Sequence, residues 1–126
     1  MHILVVEDEV LLRVSLAEAL RECSYDVDEA SNGLVALECM RRRVPDLVLL
    51  DLRMPVMDGF EFRAAQREDA LLADVPVILI SANSDDENAR SLGALGVLDK
   101  PVRLSKLLWM INNLPARQAA SRSIFF

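Results

Sequence analysis

Four apolar residues, Leu47-Val48-Leu49-Leu50, run directly into a carboxylate, Asp51. Such a run reads as a strand buried on both faces, and Asp51 stands where the strand runs out. A single Asp in that place can simply open a turn. Three further stretches repeat the pattern: His2-Ile3-Leu4-Val5-Val6 leads into Glu7-Asp8, Pro76-Val77-Ile78-Leu79-Ile80 into Ser81, and Val97-Leu98 into Asp99-Lys100. In a parallel sheet these ends share one side, the side on which open α/β sheets bind ligands. Glu7, Asp8 and Asp51 then converge. Carboxylates ~4 Å apart at an effective dielectric of ~20 repel by on the order of 4 kcal/mol per pair, so the cluster calls for a cation. Oxygen ligands without His or Cys favour Mg²⁺, or Mn²⁺, over Zn²⁺. Mg²⁺ held by only one or two carboxylates keeps waters and accepts phosphate oxygens. A lysine and a hydroxyl suit the other oxygens of a phosphoryl group. The remaining carboxylate can act as nucleophile, giving an aspartyl phosphate.

The intervening segments must supply the scaffold. Residues 10–23 carry Leu12, Leu16 and Leu20 at helical spacing, with Asp8 or Glu9 near the start, where the helix dipole favours negative charge. Asp26-Val27-Asp28-Glu29-Ala30 alternates and is polar, as an edge strand would be. Ser31 or Asn32 can cap a helix over 34–42, which Pro45 prevents from continuing. Arg41-Arg42-Arg43 reads as a dipole complement and solvated surface at that helix's end, not a nucleic-acid patch. A helix over 60–69 turns Phe60 and Phe62 partly inward, and residues 70–75 connect it to the next strand. A weak, polar helix over 85–92, which Ser84 can cap, is followed by a break bracketed by Gly93 and Gly96. Leu104, Leu107, Leu108 and Ile111 define a last amphipathic helix, closed by Pro115. Five strands alternating with five helices predict an α/β parallel sheet covered on both faces, with right-handed crossovers. The expected organisation is one domain over residues 1–114 and a loosely ordered tail over 115–126.

Composition agrees. A chain of 126 residues with 52% hydrophobic content fits one folded domain. Its net charge of −6 argues against direct nucleic-acid binding. No signal peptide and no apolar run of ~20 residues is present, so a soluble, cytoplasmic protein without membrane insertion is expected. Cys23 and Cys39 resemble neither a disulfide framework nor a zinc site and read as small buried or half-buried hydrophobes.

Taken together, Val5-Val6-Glu7-Asp8-Glu9, Leu50-Asp51-Leu52-Arg53-Met54-Pro55-Val56-Met57-Asp58-Gly59, Ile80-Ser81-Ala82 and Asp99-Lys100-Pro101 resemble the receiver domain of two-component response regulators, over residues 1 to about 114. The resemblance implies a flavodoxin-like (βα)5 fold with strand order 2-1-3-4-5. It implies Asp51 as phosphoacceptor, Asp8 as a direct Mg²⁺ ligand, Glu7 as a ligand mainly through water, and the Arg53 backbone carbonyl as another. It makes Ser81 the hydroxyl that turns toward the phosphoryl group and Lys100 the cation that pairs with it. It also implies a cis Lys100–Pro101 bond. The expected partners are a histidine kinase or histidine phosphotransfer protein as donor, and a downstream effector protein. Asn83 and Arg53 would flank the phosphoryl site.

The sequence departs from the pattern in two places. The family usually has an aromatic three residues before the lysine, and here it is Val97; the aromatic common after Lys-Pro is Val102. Val97 does not reproduce the inward rotation of that aromatic, which puts the usual hydroxyl–aromatic coupling in question, and Trp109 reads either as another readout or as partial packing against the sheet. Phe125 and Phe126 read as tail residues. Two alternatives stand beside phosphorelay: a receiver-like interaction module that is not phosphorylated, and a Mg²⁺-dependent aspartyl phosphohydrolase. The second typically needs an Asp two residues after the nucleophile, where this chain has Arg53.

Overall fold

The computed structural model describes residues 1–82 and 91–114. Its elements are β1 (His2–Val6), α1 (Val10–Glu22), β2 (Asp26–Ala30), α2 (Gly33–Arg42), β3 (Leu47–Asp51), α3 (Gly59–Glu68), β4 (Val77–Ser81), β5 (Gly96–Asp99) and α4 (Leu104–Asn112). The strands form one parallel sheet in the order β2-β1-β3-β4-β5. The expected architecture and order are therefore observed. The helix expected over 85–92 lies almost wholly outside the described residues, as do its Ser84 cap, Asn83, and the tail with Phe125 and Phe126; residues 91 and 92 form a turn.

The sheet splits the core into two layers by side-chain parity. Leu4, Val6, Val48, Leu50, Val77 and Leu79 pack with Met40 of α2 and Phe62 of α3. Their odd-and-even neighbours Ile3, Val5, Leu47, Leu49, Ile78 and Ile80 pack with Leu20 of α1 and Leu107 of α4. Buried on both faces, β1, β3 and β4 are apolar except at one end each, where His2, Asp51 and Ser81 stand. Exposed β2 keeps only Val27 and Ala30 buried.

Local signals fix the helix starts. Of the two candidate caps, Asn32 serves: its side chain accepts from the Val35 N–H at 3.0 Å. Glu9 occupies the cap position of α1 without a side-chain cap bond. Asp58 and Glu61 close a reciprocal capping box on α3, at 2.9 and 3.2 Å. Phe62 is fully buried while Phe60 is half-buried. Cys39 is buried as expected, but Cys23 is exposed. It stands one residue past the end of α1, where the apolar stripe no longer faces the sheet. Strand β5 is longer than Val97-Leu98, because Gly96 and Asp99 also pair with β4.

Candidate functional site

Register brings the carboxylates together. Strand β1 pairs with β3 so that Val6 lies opposite Leu50, and Glu7 and Asp51 are the next residues on adjacent strands. Glu7 continues the ladder by donating its N–H to the Ala30 carbonyl at 3.0 Å. One ligand oxygen each from Glu7, Asp8 and Asp51 lies within 4.8 Å of the others. Glu7 and Asp51 are buried, at 0% and 2% exposure, whereas Asp8 is exposed. Lys100 arrives from the end of β5, with Nζ 2.9 Å from Glu7 Oε1 and 3.4 Å from Asp51 Oδ1. The Lys100–Pro101 bond is cis.

Burial, followed by the neighbouring Asp51 carboxylate, pushes the Glu7 carboxyl up from 4.5 to about 7. For Lys100, burial works downward. The hydrogen bond with Glu7 and the negative charges of Asp51 and Glu7 outweigh it and hold the ammonium above the usual lysine value. Asp51 Oδ2 and Glu7 Oε2 have no hydrogen-bond partner among the described residues. Buried carboxylate oxygens in that condition are costly. An all-oxygen set at this spacing suits a hard divalent cation, so the residues present fit Mg²⁺.

The loop after β3 is closely tied down. The Arg53 N–H donates to Asp51 Oδ1 at 3.3 Å, and the Arg53 guanidinium lies over the Phe60 ring at 5.7 Å. Gly33 donates its N–H to the Met57 carbonyl at 2.9 Å. Val56, a β-branched residue, holds φ of 70°, an uncommon left-handed conformation. Gly59 roots α3 against the end of β3. Its N–H donates to the Leu52 carbonyl at 3.0 Å, and a Cβ there would meet the Asp51 carbonyl oxygen at 2.7 Å.

The structure thus gathers Glu7, Asp8, Asp51 and Lys100 into one cluster, with the Arg53 backbone beside it. Ser81 follows Ile80, the register partner of Asp51, and is 7% exposed. Arg13 is a member that sequence reasoning missed. Its Nη1 donates to the Glu7 carbonyl at 2.9 Å and its Nε pairs with Glu29 at 3.4 Å, bracing β1 against β2. Only its position in the first turns of α1, six residues after Glu7, hinted at this. Val97 is partly buried in the α2–α3 layer and Val102 in the α1–α4 layer, while Trp109 is 64% exposed.

A parallel sheet of order 2-1-3-4-5 with buried acids and a lysine at its carboxyl edge places the chain among flavodoxin-like α/β domains. The chain belongs to the response regulator receiver domain family, whose model matches residues 3–112. It is 40% identical over 111 residues to the transcriptional regulatory protein PdtaR of Mycobacterium tuberculosis, covering 85% of this chain and 53% of that protein. It is 33% identical over 108 residues to sporulation initiation phosphotransferase F of Bacillus subtilis, covering 83% of this chain and 86% of that one. Among solved structures, the chemotaxis protein CheY4 of Vibrio cholerae superposes with a TM-score of 0.84 at 28% identity, over 90% of this chain and 98% of that one. The chain spans about half the length of the first curated relatives it matches. No helix among the described residues is long and apolar enough to cross a membrane.

Proposed function

We propose that this receiver domain takes a phosphoryl group onto Asp51 in a Mg²⁺-dependent reaction, from a histidine kinase or histidine phosphotransfer protein in the cytoplasm. It signals to a downstream effector protein by a change of conformation. The observation that carries the reading is the shared grip of Lys100 on Glu7 and Asp51, which leaves Asp51 Oδ2 without a partner. That oxygen attacks phosphorus as the P–N bond of a phosphohistidine breaks. The imidazole leaves with the bonding electron pair and Asp51 becomes a mixed anhydride. Glu7, Asp8 and Asp51, with the Arg53 carbonyl, would hold Mg²⁺, which supplies positive charge for the phosphoryl oxygens when bound. Lys100 leaves its carboxylate partners for a phosphoryl oxygen, and Ser81 donates its hydroxyl to another. The Arg53 N–H steadies the attacking carboxylate. The domain promotes only its own phosphorylation and dephosphorylation. Asp51 occupancy biases a two-state surface that the effector reads.

Labelling by acetyl phosphate with and without Mg²⁺, on wild type and Asp51→Asn, tests this. Base-labile label that requires Mg²⁺ and vanishes in Asp51→Asn is expected. Label that persists on Asp51→Asn refutes the assignment.

A further inference from the structure

Beside Phe62, the buried side of α3 carries two polar residues where a helix packed on a sheet should be apolar. Arg63 is 7% exposed and Gln66 is fully buried. Arg63 Nε donates to the Leu92 carbonyl at 2.9 Å and its Nη1 to Gln66 Oε1 at 2.7 Å. Gln66 Nε2 donates in turn to the carbonyls of Leu72 and Val75, at 2.9 and 3.0 Å. One turn on, Arg67 also donates to the Leu92 carbonyl, and to that of Ser91 at 3.4 Å. Among the described residues no carboxylate makes an ion pair with Arg63. Burial, and then the charge of Arg67, lowers its pKa below the ordinary guanidinium value. A cation kept under these conditions must have its donors satisfied by fixed acceptors, and Arg63 reaches the connection before β5 directly, through the Leu92 carbonyl, and the connection before β4 through Gln66.

Those bonds join two places of interest. At its start, α3 is rooted on the acceptor strand through Gly59, and its cap, Asp58, closes the loop that begins at Arg53 beside Asp51. At its middle, α3 holds residues 91 and 92. Gly93, at φ of 66°, then turns the chain so closely that a Cβ would meet Arg67 Nη2 at 2.6 Å. Leu95 donates to the Val77 carbonyl at 2.9 Å and β5 follows, carrying Val97 and leading to Lys100.

We propose that Arg63 and Gln66 make α3 a rigid link between the Asp51 loop and the turn over residues 91–95, so that occupancy of Asp51 is felt at the Leu92 carbonyl and passed to β5. The inference rests on Asp51 being the acceptor. It gives the chain a connection that does not depend on an aromatic at position 97. A buried polar network has few equivalent arrangements, so a displacement at one end transmits instead of dissipating.

The test is backbone amide exchange over residues 91–97, with and without beryllium trifluoride and Mg²⁺, the fluoride complex standing for the phosphoryl group. Wild type should change its exchange there by about tenfold or more, and Asp51→Asn should show no change. Arg63→Leu/Gln66→Leu should label with acetyl phosphate as wild type does, yet lose the response at 91–97. Should that variant fold poorly, Arg63→Lys keeps the cation but cannot span Gln66 and Leu92 together, and its response should fall in the same direction. A folded variant that labels normally and keeps the full response overturns the link. Failure of wild type to take label overturns the acceptor reading and the link with it.

Discussion

Glu7 offers the sharpest quantitative test, because burial and Asp51 raise its carboxyl from 4.5 to about 7. Between those values the folded chain holds a proton that the unfolded chain gives up. Its stabilising effect is fully present below about pH 4.5 and is lost as pH rises through about 7. At about 1.36 kcal/mol per tenfold, the loss is bounded at roughly 3 kcal/mol, with no discount for exposure because the side chain has none. For a domain of this size that is a fall in Tm of roughly 10 °C. The assay is thermal melting of metal-free wild type and Glu7→Gln from pH 5 to 8. Glutamine copies the protonated acid, so the difference between the two proteins removes the titration of groups remote from Glu7 and reports Glu7 together with its coupled neighbours Asp51 and Lys100. Wild type should lose stability relative to Glu7→Gln as pH rises. Mg²⁺ should restore wild type at pH 8 and do less for Glu7→Gln. Because the metal competes with the proton, Mg²⁺ affinity at pH 6 should be roughly tenfold below that at pH 8. Parallel melting of the two proteins across the whole range would refute the reasoning.

Three further perturbations act on the scaffold of the site. Gly59→Ala places a methyl 2.7 Å from the Asp51 carbonyl oxygen and 2.8 Å from Leu52 Cα, both backbone atoms that cannot swing away. A stability loss of about 1–3 kcal/mol by urea unfolding and slower acetyl phosphate labelling are expected. Asp58→Ala removes the cap of α3 and should cost about 1 kcal/mol, seen as a lower urea midpoint with an unchanged slope. The exchange Asp99→Lys/Lys100→Asp keeps composition but moves the cation by one residue. Labelling should fall as far as in Lys100→Ala, while Asp99→Lys alone should label normally.

The apolar runs of β1, β3 and β4 made most of the fold legible, since strands buried on both faces leave no room for polar residues. Parallel strands then forced their terminal acids to one edge, so Glu7, Asp8, Asp51 and Lys100 could be found without a structure. The ends of β5 were not legible. Gly96 and Asp99 have poor strand propensity, and only pairing with Ile78 and Ser81 of β4 brings them into the sheet. Cys23 was misjudged for a related reason: helical spacing continues past Glu22 in the sequence, but the helix does not. Arg63 and Gln66 escaped because periodicity marks apolar positions only. Their burial depends on carbonyls at residues 72, 75 and 92, which no local pattern reveals.

The cluster at the sheet edge follows from parity as much as from proximity. Val6 and Leu50 face the α2–α3 layer, so the residues after them, Glu7 and Asp51, turn toward the α1–α4 side. Leu98 packs in that same layer, and Lys100, two residues on, recovers its direction while exposed Asp99 does not. Adjacent strands are ~4.8 Å apart, and β4 separates β5 from β3, so the ammonium must reach over the end of β4 to meet Asp51. A one-residue slip between β1 and β3 would send Glu7 into the opposite layer and drive Leu4 and Val6 out of theirs. The apolar core therefore enforces the register that crowds two carboxylates together. The resulting repulsion cannot relax by local movement, and the fold tolerates it because Lys100 offsets part of it and a divalent cation can offset the rest.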